Sequence, residues 1–121
     1  MRTRLPKDVP FARLYGKTLV SIERLQDDEV MRFTTDSGAV YELYHDQESG
    51  EYVCIDDVVG DLNDLLNTPI LIAREDVNEN SPDGFTWTFY NLATVKGHVT
   101  VKWYGASNGY YSEKVSFQRV Q

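Results

Sequence analysis

Apolar and polar positions alternate with period two through most of this chain, and polar turn residues interrupt the alternation at short intervals. That pattern predicts strands buried on one face. Residues 17–24 form the first predicted strand, with Val20 and Ile22 on one side. Residues 30–35 return with Met31 and Phe33 inward. Asp36-Ser37-Gly38 is a hairpin signal, and residues 40–45 follow it. After the loop 46–50 comes a strand at 51–56, in which Val53 and Ile55 alternate with Tyr52 and Cys54. These four runs read as a meander.

The period then changes. Leu62, Leu65 and Leu66 stand at i, i+3 and i+4, and Asp61 is placed to cap the first turn, which predicts one short helix near 61–66. Thr68-Pro69 stops it. Residues 69–75 are nearly all apolar and predict a strand covered on both faces. A long loop over 76–84 leads to three more strands at 85–93, 97–104 and 109–119, separated by Val95-Lys96-Gly97 and Gly105–Gly109. Phe11, Leu14 and Tyr15 predict a single helical turn ending at Gly16. The first ten residues, with Pro6 and Pro10, read as a flexible arm. The expected architecture is a single mainly β domain over 11–121. It has about eight short antiparallel strands in a curled sheet, an open barrel or a sandwich.

Composition narrows the class of function. The chain has 121 residues, with 19 acidic against 12 basic side chains and a net charge of −7. Such a balance excludes a duplex-binding protein, which needs a basic face for phosphate contacts. Acidity is explained by solubility, or by docking on a basic partner as a nucleic-acid mimic. The one cysteine, Cys54, excludes an intramolecular disulfide framework and fits a reducing compartment. No signal h-region or membrane span is visible, so a cytoplasmic protein with no membrane partner is expected.

The last three strands carry the most distinctive chemistry. Alternation groups Phe85, Trp87 and Phe89 with Val99, Val101, Trp103, Tyr111, Val115 and Phe117 on one apolar face. Opposite them lie Tyr90, Lys102, Tyr104, Tyr110, Ser112 and Lys114, with threonines, His98 and Ser116 between. Tyrosines beside lysines stack on a purine ring while the ammonium groups hold phosphate charge and hydroxyls read polar edges. An ordinary solvated face and an oligomer interface are the competing explanations. The turn containing Ser107 and Asn108-Gly109 offers backbone N–H groups to an anion. The expected ligand-binding set is therefore Tyr90, Lys102, Tyr104, Ser107, Asn108, Tyr110, Ser112 and Lys114. Trp87, Trp103 and Tyr111 would act as aromatic walls or support.

No catalytic motif is present. Asp46, Glu48, Glu51, Asp56, Asp57, Asp61 and Asp64 form an acidic belt whose spacing matches no metal loop. Asp76-Val77-Asn78 opens like a calcium loop, but Ser81 and Trp87 occupy the positions where glycine and glutamate are required. Cys54 lies mid-strand with no adjacent cation to activate it, despite His45 and His98 elsewhere. No enzyme, metal or cofactor is expected.

The segments YHDQESGEYVCIDDVVGDLNDLL, TPILIA and WTFYNLATVKGHVTVKWYGASNGYYSEKVSF resemble a family of small uncharacterised proteins encoded by bacteriophages and by bacteria carrying phage-derived genes. The likeness covers residues 14–119 and is most specific at Trp87–Tyr90, Trp103-Tyr104-Gly105 and Ser107–Glu113. Ser49-Gly50 stands where members of that family often place a cysteine pair. The resemblance implies a phage accessory protein acting in the infected host's cytoplasm. Together with the aromatic face, it suggests a non-enzymatic, homo-oligomeric protein that counters host defence by sequestering a small nucleotide-like signal. The alternative is an acidic inhibitor of a host defence protein. A third possibility is an enzyme acting on a nucleotide, which would turn over rather than saturate.

Overall fold

In the computed structural model, which describes residues 8–47, 50–79, 84–107 and 112–121, the chain forms a β-sandwich. One sheet has the order β1-β2-β3-β8, from β1 (Leu19–Leu25), β2 (Val30–Thr35), β3 (Val40–Tyr44) and β8 (Ser116–Arg119). The other has the order β4-β7-β6-β5, from β4 (Glu51–Val59), β5 (Ile72–Asn78), β6 (Thr86–Thr94) and β7 (Gly97–Ser107). Every strand pair is antiparallel. The mainly β expectation holds, and the sandwich is the arrangement adopted.

The core lies between the sheets. Met31, Phe33, Leu43 and Phe117 of the first sheet meet Ile55, Leu92, Val99 and Val101 of the second. Stacking of Tyr41 on Phe117 at 5.4 Å and an edge contact of Phe11 with Phe117 at 5.2 Å extend it. A short 3₁₀ turn, Phe11–Leu14, buries Phe11 and Leu14. Just before it, Val9 donates its N–H to the Phe117 carbonyl, so the chain from Asp8 onward lies beside β8. Residues 1–7 of the expected arm lie outside the described residues.

Three local expectations need correction. The four-strand meander breaks after β3, because β4 belongs to the second sheet. The helix near 61–66 is a single 3₁₀ turn, Leu62–Leu65. Asp61 does cap it, accepting from the Asn63 N–H at 2.9 Å. With Asn67 in the left-handed region at φ 65°, the turn has no room to grow into an α-helix. Finally, the apolar run at 69–75 is not a doubly covered strand. Ile70 enters the core, whereas Leu71 and Ile72 are exposed and β5 is an edge strand. No helix among the described residues is long and apolar enough to cross a membrane.

Candidate functional site

The site begins with the register of the β6–β7 hairpin. Its turn is two residues long, Val95-Lys96, and pairs Thr94 with Gly97. Directly paired residues share a face. Val99, Val101 and Trp103 therefore bring Leu92, Tyr90 and Thr88 inward with them. The expectation that Trp87 and Phe89 join that inner face is overturned by this odd-to-even pairing. Both point outward, and Tyr90 is fully buried.

The expected ligand set is consequently divided between two sides of one sheet. Lys102 and Tyr104 lie outside with Trp87, where Lys102 Nζ sits 4.2 Å from the Trp87 ring. Tyr104 packs on Trp87 at 5.1 Å and on Phe85 at 5.0 Å. The cation and rings that were to hold a ligand instead cover one another, and Lys102 also approaches Asp56 at 3.7 Å. Tyr52 adds an exposed ring to this cluster. A hydrogen bond with Cys54, reinforced by nearby Glu29 and Asp28, raises the Tyr52 hydroxyl above its ordinary pKa. Trp103 is a core residue with no exposed surface, and its indole N–H has no hydrogen-bond partner among the described residues. Asn108, Tyr110 and Tyr111 lie outside the described residues.

Ser107, Ser112 and Lys114 do come together. They line a cleft of about 790 Å³ on the inner face of the second sheet, under the segment that leads into β8. Its floor is Glu75 and Val77 of β5 with Thr86 and Thr88 of β6, and its roof is the segment Ser112–Val115. Tyr90 supports the floor from the core. Its hydroxyl donates to Glu75 Oε2 at 2.6 Å. Burial, together with that carboxylate, raises the Tyr90 hydroxyl far above its ordinary pKa. It stays protonated and holds Glu75 in place.

The roof approaches the sheet because Gly105 lacks a side chain. A Cβ there would lie 2.9 Å from Glu113 Cβ, closer than packed atoms tolerate. Its other end is tied down by His45, whose Nδ1–H donates to the Lys114 carbonyl at 2.6 Å. The Nε2 of His45 lies 2.9 Å from Glu51 Oε2. His45 follows β3 and Glu51 opens β4, so this buried pair joins the two sheets beside the cleft. The Lys114 ammonium reaches outward to Asp8 at 3.5 Å.

Sequence reasoning missed Glu75, Glu79 and Glu113 as cleft residues. Glu75 sits in an apolar run and Glu79 in the longest loop, with no pattern to join them. The glycine inside strand β7 was the available signal, since such a glycine marks close approach of another chain segment. The remaining acidic belt does not converge. Asp56, Asp57 and Asp61 are exposed, and no group of three metal-ligating side chains occurs among the described residues. Volume, lining hydroxyls and an oriented carboxylate make the cleft the candidate site.

Comparison with curated proteins and with solved structures returns no match. A family model, described as a domain of unknown function (DUF7448), matches residues 12–117, nearly the whole of the folded domain. The chain belongs to that family.

Proposed function

We propose that this protein is a non-enzymatic capture protein that holds a small ligand in the cleft on the inner face of its second sheet. The observation that carries the reading is the change in character of the inter-sheet space. It is dry and apolar around Leu92 and Val99, then opens into a cleft of nucleotide-sized volume lined by hydroxyls and carboxylates.

In the phage setting implied by the sequence resemblance, capture removes a host signal from circulation. A nucleotide-like signal agrees with the volume and with the hydroxyls of Thr86, Thr88, Ser107 and Ser112. The competing reading, an acidic inhibitor of a host protein, draws on the outer face instead. There Tyr52 is 55% exposed, on the same strand as the exposed Asp56 and Asp57.

Native mass spectrometry of the protein purified from cells separates the two. Capture requires a bound molecule of defined mass that leaves on mild denaturation, and the same spectra count the subunits. A protein that carries nothing sends the search to the outer face and a protein partner.

A further inference from the structure

One ring, His45, serves two oxygens from different parts of the fold. Its Nδ1 lies 2.6 Å from the Lys114 carbonyl of the roof, and its Nε2 lies 2.9 Å from Glu51 Oε2 at the start of β4. The His45 and Glu51 side chains are 6% and 0% exposed, so water does not readily replace either contact. A carbonyl only accepts, and so does a carboxylate that keeps its charge. Both contacts are therefore satisfied only while both ring nitrogens carry a proton, which imidazole, a stronger base than carboxylate, can hold. The roof depends on this ring. Among the described residues, no other hydrogen bond links the backbone of residues 112–115 to another element, and the Lys114 N–H turns back to Ser112 Oγ within the segment.

We infer that the His45–Glu51 pair is a pH-sensitive latch on the roof of the cleft, closed while the ring carries both protons and released when one leaves. One N–H then remains for two acceptors, and the charged carboxylate is the stronger partner. Nδ1 turns a lone pair on the Lys114 carbonyl, and the roof loses its tie. What still holds the segment is Glu113 against Gly105, the buried Val115 side chain and the exposed pair of Lys114 with Asp8. Among the described residues, the charged neighbours of the ring are Glu51 from β4, Lys114 and Glu113 from the roof, and Asp46 next in the chain. Asp46 is exposed and the Lys114 ammonium reaches outward to Asp8, so Glu51 is the charge in contact with the ring. Rising pH therefore opens the roof.

Nuclear magnetic resonance of the full-length protein tests the ring and the roof together. Ring-nitrogen spectra between about pH 5 and 9 follow the protons of His45. Amide hydrogen exchange of residues 113–115 in the same samples, corrected for its intrinsic rise with pH, follows the roof. Protection should fall about tenfold as His45 loses its proton, the worth of one hydrogen bond to a charged group, and with the same midpoint. His98, exposed on β7, is the internal control, and its titration should leave the roof unmoved. In His45→Gln, whose amide donates but does not titrate, protection should stay flat with pH. A circular dichroism melt confirms that this variant is folded; if it is not, the wild-type spectra decide alone.

A ring that carries the same protons throughout overturns the inference. So does protection that ignores the His45 midpoint, or that keeps its pH dependence in His45→Gln. The latch governs access to the cleft and is tested without a ligand, so its failure leaves the capture reading intact.

Discussion

The two ends of the inter-sheet space share the same pair of strands yet do different things. Along the inner face of β6, Thr88, Tyr90, Leu92 and Thr94 are all buried. Around Leu92 the space is filled by Leu14, Leu65, Ile70 and Val99, each with no exposed surface. Around Thr88 the same gap opens into the cleft. Tyr90 stands between, with its ring against Phe11 at 4.7 Å and its hydroxyl on Glu75. The difference arises from what covers each end. The two 3₁₀ turns press leucines into one end, whereas the other is roofed only by the thin segment Ser112–Val115. Burial alone therefore does not mark the core of this protein: Thr88 is nearly as buried as Leu92 yet borders the cleft.

The largest effect expected from breaking that comparison is at the dry end. Leu92→Ala should cost about 3–4 kcal/mol, through lost transfer energy plus a cavity that its neighbours cannot fill. Thr88→Val, a change of similar burial at the wet end, should stay within about 1 kcal/mol. Urea unfolding of the two variants measures both. Similar losses at both ends would mean that the cleft wall is simply core.

Gly105→Ala should come next, at about 1–3 kcal/mol, because the new methyl meets Glu113 Cβ and the roof must shift. Proteolysis should then cut the roof segment of the variant sooner than that of the wild type. An unchanged digestion pattern would show that the sheet absorbs the methyl instead.

Tyr90→Phe should have a smaller effect at neutral pH, about 1 kcal/mol for the lost hydrogen bond. Its signature lies in alkali. The folded protein holds the Tyr90 proton more tightly than the unfolded chain does. Its stabilising contribution is complete below the ordinary tyrosine pKa near 10 and is lost as pH rises beyond it, by about 1.4 kcal/mol per unit. Unfolding midpoints between pH 9 and 11 should fall more steeply in the wild type than in Tyr90→Phe. Parallel curves would mean that Tyr90 does not contribute to the alkaline loss.

The same contrast explains what was legible in the sequence. The runs 30–35 and 40–45 are close to β2 and β3: Met31 and Phe33 alternate with half-buried Arg32 and Thr34, whereas β3, buried from Tyr41 to Tyr44, was marked by its β-favouring residues and the Asp36-Ser37-Gly38 turn before it. Reading failed where apolar residues occupy both faces. Trp87 and Phe89 outside, with Tyr90 and Leu92 inside, give β6 no preferred face by hydropathy. The length of the Val95-Lys96 turn decides it instead, and a three-residue turn puts the wrong set inward. Ser107 was legible from its polar turn, whereas Ser112 and Lys114 were assigned from the alternation of an expected strand over 109–119; of its described part only Ser116–Arg119 is strand, and Ser112–Val115 runs outside any strand as the roof. Glu75 was not, because it reaches the cleft only through the β5–β6 pairing, 15 residues away from its Tyr90 partner.

If the cleft at the wet end is the ligand site, filling it must expel the ligand. The most direct test compares native mass spectra of the wild type and Thr86→Trp, which fills the cleft from its half-buried floor, after purification from the same cells. The wild type should carry an added small-molecule mass that the variant lacks, with the charge-state distribution of a folded protein in both. The same mass on both proteins, or on neither, would contradict the assignment of the cleft.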